Sequence, residues 1–237
     1  MTASPDAALL QKLDAAELRI GMAEDNKLAK LLDPALCNIL NFLASPSAAV
    51  KQKAMAILSH LNKRLKADPS ITLPLAGLIK LFTTASTNAM VSNFALVYID
   101  MGLPRVSTAE RSSLVPSLLV GVARRPAAQQ DQLLPLLLAS LPSIPLPKTK
   151  AELSGATAAL PFLNDAADRA LILAWLLDLL LYLPPLASAP HVPPPGLSRA
   201  AAKRVCGKLD ASEVRGELLA AKKLAALRLI GGETRDG

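Results

Sequence analysis

Short apolar stripes at helical spacing, cut by regularly placed prolines, glycines and capping residues, constrain this chain more than any other feature. Val50, Ala54, Ile57, Leu58, Leu61 and Leu65 recur at spacings near 3.6 and predict a helix over 48–66. Leu36, Ile39, Leu40 and Leu43 form a similar stripe, with Asp33-Pro34 reading as N-cap and first helical residue. Leu75, Leu78, Ile79 and Phe82 place another helix over 73–82. Val91, Phe94, Tyr98 and Met101 place one over 88–101, with Gly102 as its C-cap. Ser45-Pro46-Ser47 and Asp68-Pro69 are breaks. Ser107-Thr108-Ala109-Glu110 reads as a capping box opening a helix to about Arg124, kinked or restarted at Pro116. Pro126 opens the next, to about Leu141, with Pro135 a further expected kink.

These segments make antiparallel pairs of roughly 40 residues, the period of HEAT and armadillo solenoids. A single pair cannot bury its own stripe, whereas stacked pairs bury a continuous core. A compact helical bundle is the alternative that periodicity leaves open. Composition agrees with helices: Ala and Leu dominate, and aromatics are only 3% of the 237 residues, too few for a sandwich or barrel. With 51% hydrophobic and 19% charged residues the chain is not disordered. The expected organisation is helical repeats over 1–143, an irregular Pro-rich linker over 144–163, an apolar helix over 164–183, a Pro-rich linker over 184–197 and a helix pair over 198–237. Asn164-Asp165, Ser198 and Asp210-Ala211-Ser212-Glu213 read as caps in this half, and Val214, Leu218, Ala221, Ala225 and Leu227 as the inner face of the last helix. The apolar run from Ala170 to Leu183 holds Asp178 and is too short to span a bilayer, so no membrane insertion is expected. Met1 to Lys12 lacks the pattern of a secretory signal, and two separated cysteines supply neither a disulfide framework nor a zinc motif. The expected location is the cytoplasm and nucleus.

No catalytic, cofactor or metal constellation emerges. His60 lies on the basic helix without a nucleophile or orienting acid in any signature, and His191 falls in the Pro-rich linker. Cys37 reads as a small core residue, and Cys206 sits near a helix C-terminus that opposes thiolate formation. No glycine pattern matches a phosphate loop. Asp165 and Asp168 read as carboxylates complementing a helix dipole. The expectation is a protein that is not an enzyme and takes no small-molecule substrate. The net charge of +7 and the helix bearing Lys51, Lys53, Lys63, Arg64 and Lys66 mark a basic face, with no acidic residue from Pro34 to Ala67. Three uses are open: a solvated face, an acidic protein partner, or nucleic acid. Nucleic-acid binding usually adds stacking aromatics, which here sit in apolar stripes, so an acidic protein surface is the favoured partner.

Collinear blocks along the chain resemble one family. They include Leu18-Arg19-Ile20-Gly21, Val50-Lys51-Gln52-Lys53-Ala54-Met55, His60-Leu61-Asn62-Lys63-Arg64-Leu65-Lys66, Tyr98-Ile99-Asp100-Met101-Gly102-Leu103-Pro104-Arg105, Pro126-Ala127-Ala128-Gln129-Gln130-Asp131 and Ala201-Ala202-Lys203-Arg204-Val205. Together they are similar to the N-terminal region of the large HEAT-repeat proteasome adaptor and scaffold proteins, whose members are far longer. The resemblance implies a HEAT/armadillo-like right-handed α-solenoid of stacked antiparallel helix pairs. It also implies a scaffold that binds the proteasome core and regulatory particles and supports their assembly, stability or localisation.

Overall fold

A computed structural model of the chain describes residues 5–84, 88–144, 160–183, 196–206 and 217–231. Every regular element among them is helical. The chain divides into two compact units, Met1–Ser107 and Thr108–Gly237.

The first unit holds α1 (Pro5–Met22), α2 (Asp25–Asn41), α3 (Ala48–Ala67), α4 (Leu75–Thr84) and α5 (Ala89–Gly102). The face of α3 is the one periodicity predicts: Val50, Ala54, Ile57, Leu58, Leu61 and Leu65 are all buried. The relative direction of the helices follows from cross-contacts. Asp14 and Glu17 of α1 meet Lys53 early in α3, while the Ile20 and Ala23 carbonyls at the end of α1 meet Arg64 late in α3. Tyr98 of α5 donates to the Leu58 carbonyl, and Arg105 just beyond α5 reaches the Leu65 and Asp68 carbonyls. Hence α1, α3 and α5 run in the same direction, with α3 in contact with both of the others. The start of α4 lies against the end of α5, where Leu75 packs on Gly102, so these two are antiparallel.

Three local expectations are corrected here. Asp33-Pro34 does not open a helix: α2 starts at Asp25 and runs through Pro34. A proline inside a helix costs about 3 kcal/mol. The buried Leu28, Leu32, Leu36, Ile39 and Leu40 favour one continuous helix by about 1.5–3 kcal/mol per fully buried side chain, which outweighs it. Gly102 is not a left-handed C-cap; it has right-handed helical dihedrals (φ −84°) and the chain continues into a 3₁₀ turn over Leu103–Arg105. Its lack of a side chain serves packing instead. A Cβ at Gly102 would stand 2.7 Å from Leu75 Cδ2 and 3.2 Å from Leu73 Cβ. Gly102→Ala is therefore expected to destabilise by about 1–2 kcal/mol despite alanine's better helix propensity, as overpacking outweighs the propensity gain. A urea titration of the variant checks this; equal or higher stability would refute it. Lastly, α5 is buried over more of its circumference than its stripe predicts: Ala95, Leu96 and Ile99 are buried beside Val91 and Tyr98, while Phe94 and Met101 are half-buried.

The second unit holds α6 (Thr108–Leu118), α7 (Ala127–Ser140), α8 (Ala166–Leu181), α9 (Arg199–Cys206) and α10 (Glu217–Gly231). Here α6 ends at Leu118 rather than near Arg124. Gly121 takes a left-handed conformation (φ 75°), open to glycine without strain, and a 3₁₀ turn follows over Val122–Arg124. Both α6 and α7 run through their prolines, Pro116 and Pro135. The expected caps at Asp165 and Ser198 form: Asp165 accepts from the Ala167 and Asp168 N–H groups, and Ser198 Oγ from the Ala201 N–H. Trp175, Leu176 and Leu179 of α8 join Leu133, Leu134, Leu137 and Leu138 of α7 among the buried residues. On α10, Ala225 and Ala226 are buried, whereas Ala221 and Leu227 of the expected inner face are exposed. The capping box at 210–213 and most of the 144–163 and 184–197 linkers lie outside the described residues, as does His191.

Candidate functional site

The basic helix α3 divides its charges by use. Lys53 Nζ lies 2.7 Å from Asp14 and 2.6 Å from Glu17, both on α1. These two carboxylates, Asp14 foremost, hold its ammonium above the usual lysine pKa. Arg64 donates to the Ile20 and Ala23 carbonyls and pairs with Asp25. Lys53 and Arg64 thus clamp α1, and the turn after it, along α3. Their acidic partners lie outside the 34–67 window in which the sequence shows none. Lys63 and Lys66 are exposed and Lys51 is half-exposed. His60 is also exposed, on the same helix.

Beside α3, Arg105 gathers carbonyls from the ends of α3 and α5 and from Ile71 in the connection after α3. Its guanidinium donates to Leu65 O at 2.6 Å, Ile71 O at 2.8 Å, Asp68 O at 3.0 Å and Met101 O at 3.0 Å. Helix ends leave such carbonyls orphaned, and a planar five-donor fork matches several at once. Burial lowers the Arg105 pKa and Asp68 opposes the shift; the group remains a cation. Tyr98, fully buried, donates to Leu58 O at 3.3 Å, and burial raises its phenol pKa.

In the second unit, Asp168 does more than complement a helix dipole. Its carboxylate is 1% exposed and accepts from the Gly121 N–H at 2.6 Å and the Ala123 N–H at 2.9 Å, tying α8 to the turn that follows α6. Asp165 pairs with Arg124 on that same turn. Lys223 of α10 donates to the Leu180 and Tyr182 carbonyls at the end of α8, and Arg204 of α9 pairs with Asp131 of α7 at 2.9 Å. None of these long-range partners is legible from local spacing.

Cys37 is half-buried on α2, its Sγ facing Gly77 of α4, and burial with the nearby Asp33 raises its thiol pKa. It lacks the electropositive setting of a reactive thiol. The Cys206 side chain lies outside the described residues. Among the described residues no cluster of His, Cys, Asp or Glu is arranged to hold a metal ion, and no helix is long and apolar enough to cross a membrane. What the arrangement offers is a set of helix faces pinned by arginine, lysine and aspartate bonds to backbone, with exposed lysines left over.

A family profile described as "Proteasome component ECM29, N-terminal" matches residues 13–236. The chain belongs to the ECM29 family. The human "Proteasome adapter and scaffold protein ECM29" is 35% identical over 121 residues, covering 51% of this chain and 7% of the human protein. The "Proteasome-associated protein ECM29 homolog" of Drosophila melanogaster is 29% identical over 120 residues, covering 50% of this chain and 6% of that protein. The "Proteasome component ecm29" of Schizosaccharomyces pombe is 30% identical over 118 residues, covering 49% and 7% respectively. The matched segment is thus a small part of each ECM29 relative's length. No solved structure matches the chain. In this ECM29 segment, the block Tyr98–Arg105 that carries part of the resemblance holds the Tyr98 bond, the Gly102 contact and the Arg105 fork, so its residues are explained by packing. The exposed Lys63 and Lys66 have no such explanation.

Proposed function

We propose that this chain is a non-enzymatic scaffold segment that binds the proteasome, engaging its core and regulatory particles and supporting their assembly, stability or localisation in the cytoplasm and nucleus. The ECM29 relatives are named as proteasome adapters, scaffolds and components, which supports a protein partner of that kind. The observation that carries the reading is the arrangement of α1, α3 and α5, which lie side by side in one direction with α4 returning against α5. Parallel alternate helices with an antiparallel return are compatible with an α-solenoid; we take it to be the HEAT/armadillo-like right-handed kind, whose stacks offer long faces to other proteins.

On this reading Lys51, Lys63 and Lys66 form the part of the basic face that meets an acidic protein surface, while Lys53 and Arg64 hold the scaffold itself. A pull-down of purified proteasome in moderate salt tests it. Wild-type chain is expected to retain proteasome, and the Lys63→Glu/Lys66→Glu variant to bind at least fivefold more weakly, since rim charge reversal acts through electrostatic complementarity, with a melting temperature lowered only slightly by the two carboxylates near the α3 C-terminus. Recovery of no proteasome by the wild-type chain would sink the proposal. The nucleic-acid alternative loses two of its five cations to internal pairs, and none of the Phe, Tyr or Trp side chains is exposed for stacking. No nucleic-acid binding is expected even at low salt.

A further inference from the structure

Between α1 and α2 runs an apolar groove of about 750 Å³. On the α1 side it is lined by Lys12, Ala15 and Arg19, and on the α2 side by Leu31, Ala35 and Phe42. Among the described residues, the only charged ones lining it are Lys12 and Arg19, and both are exposed cations. Two of the three acidic residues of α1, Asp14 and Glu17, are drawn to Lys53 on the α3 side, and the third, Asp6, stands in the first turn and does not line the groove. Next to Ala15, on the flank of α1, Leu18 is 62% and Met22 74% exposed, the two most exposed large apolar side chains among the described residues.

We infer that this groove docks an amphipathic helix of a partner protein, with an apolar stripe against Ala15 and Ala35 and carboxylates near both ends against Lys12 and Arg19. Seven residues separate the two cations, roughly 10 Å along the helix axis, or two turns. An occupying helix meets both when its acidic residues stand at i and i+7, with apolar residues at i+3 and i+4 between them, the spacing of helix-in-groove recognition. Alanines lining the groove let a helix approach closely. Leu18 and Met22 add an apolar shoulder that the occupant covers, and exposed apolar surface of this kind commonly marks an interaction site.

The inference deepens the scaffold reading and rests on it, because it names a protein ligand for one face of the first unit. The test uses the full chain and a labelled 14-residue helical peptide with a leucine stripe and Glu at positions 3 and 10. A twin peptide carries Lys at those two positions. Fluorescence anisotropy is expected to show at least tenfold tighter binding of the acidic peptide, weakening as salt rises. Lys12→Glu/Arg19→Glu is expected to reverse that preference with a slightly lowered thermal midpoint, since Arg19 stands in the last turn of α1, and Ala15→Arg to block both peptides at an unchanged one. Equal binding of the two peptides to wild-type chain would overturn the inference, as would indifference of the acidic peptide to the charge reversal. Sedimentation showing a dimer that Ala15→Arg dissolves would also overturn it, since the occupant would then be a second copy. Retention of proteasome by a chain that ignores the acidic peptide would leave the scaffold reading standing and remove this inference alone.

Discussion

Arg105→Met is expected to cost the first unit about 3 kcal/mol, lowering its melting midpoint by at least about 10 °C. The guanidinium donates to four carbonyls, those of Leu65, Asp68, Ile71 and Met101. Hydrogen bonds from a charged donor contribute roughly 1.5–3 kcal/mol each when well made, and groups left without a partner keep their desolvation cost. The summed figure is discounted to about 3 kcal/mol because Arg105 is half-exposed, so water can replace some of the lost bonds. Methionine preserves most of the aliphatic packing, so the loss reads the bonds rather than a cavity. Arg105→Lys should recover less than half of it, because an ammonium cannot present the planar fork to carbonyls from three directions. Chemical denaturation of all three proteins decides. A lysine variant as stable as wild type would mean that charge, not fork geometry, matters there.

The second large effect is expected at Asp168. Asp168→Ala removes the acceptor of the Gly121 and Ala123 N–H groups, and should cost the second unit about 3 kcal/mol. The carboxylate is 1% exposed, so water cannot readily take its place. Asp168→Asn is expected to fall between, since an amide offers one acceptor oxygen and turns an NH₂ group toward the second N–H. Neighbouring Asp165 gives the contrast. Its backbone bonds, led by that from Asp168 N–H, lower its pKa, yet it sits in solvent reach at the helix start. Asparagine is also a good N-cap, so Asp165→Asn should change stability far less than Asp168→Asn. Equal effects of the two substitutions in urea titrations would refute the distinction drawn between them.

Local chemistry made much of this fold readable. The stripe of α3 is what 3.6-residue spacing dictates, and Asp165 and Ser198 cap helices as short polar side chains do. Errors arose where distant packing overrode a local signal. Pro34 looks like a helix start until the buried leucines of α2 are set against its cost, and Gly102 looks like a cap until Leu73 and Leu75 are seen against it. Helix α1 carries no such stripe: its buried large apolar side chains are Leu13 and Ile20, and its attachment to α3 runs through Asp14 and Glu17. The basic face was legible as composition, but not its division. A lysine bound to a carboxylate 36 or 39 positions away looks the same in a sequence as a lysine in water.

Arg105 also sets an order of events while the chain is being made. Three of the four carbonyls it gathers belong to residues 65–71, but the side chain that ties them stands almost at the end of the first unit. A nascent chain whose first four helices have left the ribosome still lacks its clasp. At about 5–20 residues per second, the closing residue emerges a few seconds after the segment it secures. During that interval the Leu65, Asp68 and Ile71 carbonyls lack the donor that the folded unit gives them, and a ribosome stalled just short of that codon would present the segment without it.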